Sequence, residues 1–307
     1  MVAKAKVLIT GGSGFIGSHL VKVLIDCGYD VISISRTKPN KIRAVKKAHY
    51  IEHNIRKEIT KDIEKKIESV EYIINCSGYV DHTSFKDGGK SVFKDHYNIP
   101  MKLIDLSRLV NLRTFVHLGS SDEYGNLQSP ISEDVRECPI SPYSLGKLTA
   151  THFLQQMFRL YKIPIIVLRP FIVFGENQET NRFLPYLISN CLASNTFGVT
   201  EGGQLRDYCY VGDVCNAILK CFDNNKAYGQ VINIGSGEPV SIKTLTNSVV
   251  NIIGSGKPCF GEVPYRESES MALYPNIIKA KSLLKWEPTN EMNKNLNKVI
   301  NWYKEYA

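Results

Sequence analysis

Two side chains with the spacing Y-x-x-x-K suggest proton-transfer chemistry in this sequence. Tyr143 and Lys147 lie four positions apart at the start of a predicted helix, so both project from one face of it. A phenol with a pKa of about 10 is a poor acid or base at neutral pH, and a nearby ammonium lowers that pKa. Such a pair is also frequent by chance on helix surfaces. Ser120, at the end of the preceding predicted strand, would bring a third polar group to the same edge of a sheet.

Two adjacent carboxylates follow this serine in the stretch HLGSSDEYGN. Asp122 and Glu123 have two interpretations: an acid/base pair that works on a substrate, or the polar end of a strand. A second acid and base would permit proton transfers beyond those of a single tyrosine. The two interpretations predict different reactions.

The stretch TGGSGFIG (10–17) predicts a phosphate-binding turn. It spaces Gly11, Gly14 and Gly17 between an apolar strand pattern (6–10) and a helical pattern (15–28). Backbone N–H groups at the start of a helix, together with the helix dipole, favour a bound phosphate. A bare glycine triplet is also compatible with a plain tight turn, but the strand–turn–helix context favours a dinucleotide cofactor.

The end of the second predicted strand indicates which dinucleotide is bound. An acidic residue there would bind the ribose 2′-hydroxyl and repel a 2′-phosphate. This chain has Ser35, Arg36 and Thr37 instead, without a carboxylate. A guanidinium fork suits phosphate, although a loop can be basic by chance. We therefore predict NADP(H).

Predicted strands and helices, which would position these residues, alternate along the chain. Apolar strand patterns at 6–10, 30–35, 49–52, 71–76, 113–120 and 163–169 are separated by helical patterns, including 90–110 and 143–161. This order predicts an α/β fold with a doubly wound parallel sheet, the Rossmann arrangement. We expect a cofactor-binding domain over 1–174 and 207–234. A smaller C-terminal substrate lobe is expected over 175–206 and 235–307.

Composition excludes several classes of protein. The chain has 307 residues, 43% of them hydrophobic and 22% charged, which is typical of a soluble globular protein. It has no apolar run of roughly 20 residues, so no membrane partner is expected. The net charge of +8 is spread thinly along the chain, which favours solvated helix faces over nucleic-acid binding. Eight cysteines without metal-ligand spacing, and the absence of a leader pattern, predict a cytoplasmic protein without a metal site.

Taken together, TGGSGFIG, Ser120, Tyr143-x-x-x-Lys147 and LRPFIVFG (168–175) resemble the extended short-chain dehydrogenase/reductase family that acts on nucleotide-sugars. The resemblance implies a bound NAD(P), hydride transfer at the sugar C4, and a homodimer formed through two helices of each subunit. It further implies catalytic roles for Ser120, Tyr143, Lys147 and Asp122.

The resemblance also assigns binding residues by position. The cofactor contacts would be Gly11, Ser13, Gly14, Phe15, Ile16, Gly17, Ser35, Arg36, Thr37, Asn54, Ile55, Cys76, Ser77, Gly78, Asn98, Lys147 and Arg169. The contacts to a nucleotide-diphosphate sugar would be Ser121, Asp122, Tyr143, Asn181, Arg182, Arg206 and Arg266.

Three reactions fit this scaffold: 4-epimerisation, 4,6-dehydration and reduction of a 4-keto sugar. Counting back from Tyr124 places Ser120 at the catalytic hydroxyl and Ser121 and Asp122 at the acid and base positions of the dehydratases. Serine is a poor acid, and the pattern G-S-S-acidic-E-Y-G resembles the 4-keto-6-deoxysugar reductases. We therefore expect an NADPH-dependent reductase that makes deoxysugars for surface polysaccharide. The alternatives are a 4,6-dehydratase or 4-epimerase, and, in another class, a catalytically silent NADP-binding regulatory subunit.

Overall fold

A computed structural model of the protein describes residues 4–266 and 269–306. The strands are β1 (Lys6–Thr10), β2 (Asp30–Ser35), β3 (His49–Glu52), β4 (Tyr72–Asn75), β5 (Thr114–Leu118), β6 (Ile165–Pro170), β7 (Ile172–Phe174), β8 (Thr196–Val199), β9 (Leu205–Arg206), β10 (Tyr208–Tyr210), β11 (Val231–Ile234), β12 (Val240–Ser241), β13 (Lys257–Phe260) and β14 (Ala272–Leu273). The α-helices are α1 (Phe15–Asp26), α2 (Lys61–Ile67), α3 (Lys90–Ser107), α4 (Pro142–Tyr161), α5 (Phe183–Leu192), α6 (Val211–Leu219), α7 (Ile242–Ile253) and α8 (Met292–Tyr306).

Seven parallel strands form the central sheet in the order β3-β2-β1-β4-β5-β6-β11. The strand order reverses beside β1, whose Thr10 pairs with Ile34 on one side and Asn75 on the other. In such sheets, ligands bind outside the carboxyl ends of the strands at this switch point. The predicted doubly wound Rossmann fold is therefore confirmed.

Apolar residues fill both faces of the sheet, as the uniformly apolar strand patterns predict. On one face β1, β4 and β6 pack with α1 and α6, around residues such as Leu20 and Val214. On the other face the sheet packs with α2, α3 and α4, around residues such as Leu103 and Leu154. None of the helices in the described part of the chain is both long and apolar enough to cross a bilayer.

Helix α4 begins where its sequence supplies a cap. The Ser141 hydroxyl accepts a hydrogen bond from the Ser144 N–H (3.1 Å), and the Ser144 hydroxyl accepts one from the Ser141 N–H (2.9 Å). Pro142 occupies the first helical position, where no N–H is needed. This start fixes Tyr143 in the first turn and Lys147 one turn later.

A third apolar core joins α5, α7 and α8 with β8, around Leu187, Leu245 and Leu296. These three helices and β8 lie within the range expected for the C-terminal lobe. One segment departs from the expected boundaries, because Ala280, Leu284 and Trp286 pack in the core beside α1 and α6. The Trp286 indole also donates to the Asp213 carbonyl (3.0 Å) in α6. The division into two domains stays a prediction.

Candidate active site

Ser120 follows β5 and begins a short turn of 3₁₀ helix, Ser121–Tyr124. Its hydroxyl accepts a hydrogen bond from the Asp122 N–H (3.2 Å), which orients the serine at the strand end. Its side chain lies close enough to the Tyr143 hydroxyl to lower the pKa of that group. The structure thus brings the predicted serine and tyrosine together at the carboxyl edge of the sheet.

The Tyr143 hydroxyl sits in surroundings that favour its neutral form. Burial raises the pKa of this phenol, and the Asp122 carboxylate raises it further, while Ser120 and Arg182 oppose the shift. The ring of His96 packs edge-on against Tyr143 with 4.8 Å between centroids, and burial lowers the pKa of His96 to about 3. His96 is therefore neutral at working pH and adds no positive charge beside the phenol.

Lys147 lies near the ends of two neighbouring strands, β5 and β4. Its ammonium donates to the Leu118 carbonyl (2.8 Å), and a Cβ added at Gly78 would lie 3.4 Å from its Nζ. Burial lowers the pKa of Lys147 to about 8, although Glu123 and Cys76 oppose this effect. The ammonium thus lies between the end of β5 and the turn after β4.

The two adjacent carboxylates have separate environments. Glu123 is fully buried: its Oε1 accepts from the Ser120 N–H (2.8 Å), and its Oε2 accepts from the Thr151 hydroxyl (2.8 Å). It also pairs with Arg169, whose Nε donates to the same Oε2 (2.8 Å). Every oxygen of Glu123 is therefore engaged inside the protein, and this carboxylate shapes the turn.

Asp122 instead faces the open side of the site. Its side chain is 32% exposed, and its Oδ2 lies 3.8 Å from Nε2 of His82. Burial raises the pKa of Asp122, whereas His82 lowers it. The His82 ring also packs edge-on against Tyr143, with 5.8 Å between centroids. Asp122 and His82 thus form a carboxylate–imidazole pair beside the tyrosine.

The predicted cofactor role of Arg169 stays a prediction, and its side chain is engaged inside the protein. Its side chain has no exposed surface and lies between the carboxylates of Glu123 and Glu137, 2.8 Å from an oxygen of the latter. Its guanidinium also lies over the ring of Tyr124, 4.5 Å from the centroid. A buried arginine needs such compensation for its charge.

A cleft at the switch point brings most of the predicted cofactor residues together. The predicted residues that line it are Gly11, Ser13, Gly14, Ser35, Arg36, Thr37, Asn54, Ile55, Cys76, Ser77 and Gly78. Of the remaining predicted residues, Phe15, Ile16 and Gly17 form the first turn of α1, directly after the glycine turn. Asn98 is exposed on α3 and is not among the residues that line the cleft.

The glycine turn fits a nicotinamide dinucleotide. A Cβ added at Gly11, whose φ is +79°, would lie 2.8 Å from backbone atoms of Cys76 and Ser77. One added at Gly17 would lie 2.2 Å from the Gly11 carbonyl oxygen. The turn can therefore be this tight only with glycine, and it exposes the N-terminus of α1 to a pyrophosphate.

The structure adds cleft residues that the sequence did not reveal: Ile34, His53, Arg56, Tyr79, Asp95, His96 and Ile99. Asp95, His96 and Ile99 lie on α3, where His96 is buried and Ile99 packs against the core, so helical spacing alone does not distinguish them from core residues. No local signal marks Tyr79, because it lies in an irregular loop.

The predicted substrate residues are spread more widely. Arg182 precedes α5 and lies close enough to Asp122 and Tyr143 to lower both pKa values. Ser121 is buried, and Asn181 is exposed. Arg206 is largely buried and forms an ion pair with Glu269. Arg266 is exposed, so its predicted contact to a diphosphate stays a prediction.

Known proteins share both this fold and the chain's length. The putative UDP-glucose 4-epimerase of Methanocaldococcus jannaschii is 30% identical over 311 residues, which cover 97% of this chain and 98% of that protein. Human dTDP-D-glucose 4,6-dehydratase is 24% identical, over 98% and 90% of the two chains. The crystal structure of UDP-glucuronic acid 4-epimerase from Bacillus cereus with UDP-glucuronic acid and NAD has a TM-score of 0.88 and 25% identity, over 98% and 100%.

The family model described as the NAD dependent epimerase/dehydratase family matches residues 7–235. This range contains the glycine turn, the serine-capped strand end and the tyrosine–lysine helix that meet at the sheet edge. The chain belongs to the NAD dependent epimerase/dehydratase family and is an enzyme of that family.

Proposed function

We propose that the protein is a nucleotide-diphosphate-hexose 4-epimerase. The observation that carries this proposal is that Tyr143 lies beside Ser120 and supplies one proton-transfer group, while Glu123 is held inside the protein and cannot serve as a second. Epimerisation at C4 removes one hydride and one hydroxyl proton and returns both to the same carbon and oxygen. It therefore needs no second acid and base. The 4-epimerases among the relatives support the same choice.

The cofactor would supply the hydride acceptor and return the hydride. Within the chain, the glycine turn would hold the pyrophosphate, and Lys147 would bind the nicotinamide ribose near the end of β5. Tyr143 would take the proton from the C4 hydroxyl and later give it back to the C4 oxygen. Ser120 would hold that oxygen by a hydrogen bond. Tyr143 needs positive charge near it to act as a base, because its own surroundings raise its pKa.

A 4,6-dehydratase is the second candidate, and the Asp122–His82 pair favours it. In that reaction Asp122 would remove the C5 proton and His82 would protonate the departing C6 oxygen. The names of the three relatives above, two 4-epimerases and a 4,6-dehydratase, give no support to the 4-ketoreductase that the sequence predicts.

A product assay separates the three reactions. Purified protein is incubated with UDP-, dTDP-, GDP- and CDP-hexoses without added reduced cofactor, and the products are identified by NMR. We expect interconversion of the C4 epimers of one nucleotide-hexose. A 4-keto-6-deoxy product would establish the dehydratase instead. Oxidation of NADPH with a 4-keto substrate, without formation of the C4 epimer or the 4-keto-6-deoxy product, would support the reductase.

Asp122→Asn provides the matched variant for this assay, because it keeps the shape of the side chain and removes its basicity. Epimerisation should fall only modestly in Asp122→Asn. A loss of about 10²–10⁴-fold, the usual effect of a missing general base, would contradict the epimerase proposal and favour the dehydratase.

We further propose that the cofactor is NADP(H), because Arg36 lines the cleft at the end of β2, where no carboxylate follows. Arg36→Asp exchanges attraction for repulsion at a 2′-phosphate. The native protein should bind NADPH more tightly than NADH, and Arg36→Asp should reverse this order in fluorescence titrations. Equal affinities of the native protein for both dinucleotides would refute the proposal.

Homodimer formation is also part of this proposal. Helices α3 and α4 pack beside each other, and each presents a partly exposed apolar side chain, Met101 and Leu145. Light scattering on the protein as it elutes from a size-exclusion column should give twice the mass of the chain. A monomer at micromolar concentration would contradict this expectation.

A further inference from the structure

Asp95 is a carboxylate in the cofactor cleft that the proposed mechanism does not use. It lies on α3, and its side chain is only 14% exposed. Its Oδ2 accepts a hydrogen bond from the Tyr79 hydroxyl (2.9 Å), and its Oδ1 accepts one from Nη1 of Arg56. All three residues line the cleft. The carboxylate is therefore held in one position, facing the space that the cofactor would occupy.

The balance of charge in the cleft depends on this carboxylate. Among the described residues that line the cleft, the cations are Arg36 and Arg56, and Asp95 is the only acidic residue. Arg56 is committed to Asp95 and, through its Nε, to the Asn54 side-chain oxygen (3.3 Å). Arg36 thus remains as the cation without an acidic partner in the cleft.

Tyr79 connects Asp95 to Arg36. The Arg36 guanidinium lies over the face of the Tyr79 ring, 5.9 Å from the centroid, while the hydroxyl of the same ring binds Asp95. The two opposite charges are thus separated by little more than one tyrosine side chain. The screening length in physiological salt is about 8 Å, and screening is weaker in a partly buried cleft. The negative charge of Asp95 therefore acts on an anion bound at Arg36.

We propose that Asp95 is a specificity-determining residue for the cofactor. Its charge neutralises Arg56 and opposes Arg36, and it thereby limits the preference of the cleft for a dinucleotide that carries a 2′-phosphate. This inference rests on the nicotinamide dinucleotide of the proposed function but not on the reaction at the sugar. It assigns to α3 the selective role that a carboxylate at the end of β2 would otherwise have.

Binding of the two reduced dinucleotides tests the inference without any turnover. NADPH and NADH are titrated into native protein and Asp95→Asn, and nicotinamide fluorescence gives the two Kd values. Asparagine has the same shape and can still bind Tyr79. The ratio Kd(NADH)/Kd(NADPH) should rise at least about fivefold in Asp95→Asn. Because the effect is electrostatic, the rise should shrink as salt is added.

Arg56→Gln is the opposite change and an independent measurement. It removes the cation that Asp95 neutralises, so the ratio should fall below that of the native protein. Asp81→Asn is the matched control, because Asp81 lies in the same loop as Tyr79 but does not line the cleft. Its carboxylate accepts a hydrogen bond from the Thr83 N–H (2.8 Å). Its ratio should equal that of the native protein.

A change of less than twofold in Asp95→Asn, or a fall in its ratio, would overturn the inference. If Asp95→Asn does not fold, as judged by its melting curve, an unchanged or raised ratio in Arg56→Gln overturns it instead. Failure of the native protein to bind either dinucleotide would overturn both this inference and the cofactor proposal. Binding with the expected ratios, but without epimerase products, would leave the inference standing and refute only the proposed reaction.

Discussion

The proton chemistry of Tyr143 depends on charges that the chain itself only partly provides. Burial and Asp122 raise its pKa, and the neutral His96 ring beside it supplies no compensating charge. The ammonium of Lys147 is directed at the Leu118 carbonyl, on the side of the cofactor cleft. The phenol should therefore keep its proton until cofactor and substrate are bound.

Tyr143→Phe removes this hydroxyl alone. Turnover should fall by about 10²–10⁴-fold, the usual contribution of a general acid or base. The Kd for NADPH should stay nearly unchanged, because the glycine turn and Lys147 remain. Tyr97→Phe is the control, since Tyr97 packs edge-on against Phe153 (6.0 Å between centroids), and its turnover should be native. Native turnover in Tyr143→Phe would return the protein to the class of silent binding subunits.

Single residues also show what sequence can and cannot predict. Ser120, Tyr143 and the glycine turn were predicted together because residue type and spacing restrict them to one sheet edge. The sequence does not indicate the buried ion pair of Arg169, because its partner Glu137 lies 32 positions earlier in a loop. The separate environments of Asp122 and Glu123 depend on a turn of 3₁₀ helix. The sequence does not determine which of the two carboxylates this turn directs into the protein.

Among the elements, the turn Ser121–Tyr124 connects the catalytic strand end to the catalytic helix. Glu123 binds the Ser120 N–H at one end and the Thr151 hydroxyl of α4 at the other. Arg169 of β6 supplies the opposite charge. Three elements thus meet at one buried carboxylate, which holds Ser120 in place against α4.

Glu123→Ala should be strongly destabilising, since it leaves the Arg169 guanidinium short of one buried partner. Removal of one member of a buried ion pair typically costs about 3–5 kcal/mol of unfolding free energy. Glu123→Gln should cost less, because its side chain fills the same volume and its amide oxygen can still accept one of these hydrogen bonds. Urea unfolding measures both losses.

The matched control for Glu123→Ala is Glu179→Ala. Glu179 is 49% exposed and pairs with Arg43 at 3.0 Å, an arrangement typically worth about 0–1 kcal/mol. Equal losses in Glu123→Ala and Glu179→Ala would show that the buried pair does not hold these three elements together.

The long elements followed from sequence more closely than the short ones. Predicted strands at 6–10, 30–35 and 49–52 match β1, β2 and β3. β1 and β2 are buried along most of their length, as parallel strands in such a sheet are, whereas β3 is an edge strand without a fully buried residue. The two- and three-residue strands from β7 to β14 have no such pattern. Their pairing depends on contacts such as Val240 with Arg206, which are distant in sequence.

At the scale of the whole molecule, the cofactor cleft lies at the central sheet, while Arg206 lies on β9, in a small sheet with β12 and β14. Arg206 is only 11% exposed and is held by Glu269. A buried guanidinium with one carboxylate partner retains donors for a diphosphate. The net charge of +8 also favours anionic ligands of this kind.

Nucleoside diphosphates should therefore stabilise the protein, and Arg206→Gln should remove most of the effect. A ligand at 100 times its Kd adds about 2.7 kcal/mol to the unfolding free energy, which corresponds to a rise of several degrees in Tm for a protein of this size. Thermal melts with UDP, dTDP, GDP and CDP should show one preferred base, and the corresponding monophosphate should raise the Tm less.

Arg159→Gln is the control, because Arg159 is exposed near the end of α4. The same rise in Arg206→Gln as in the native protein would show that the diphosphate is held elsewhere, and no rise with any nucleotide would count against a nucleotide-sugar substrate.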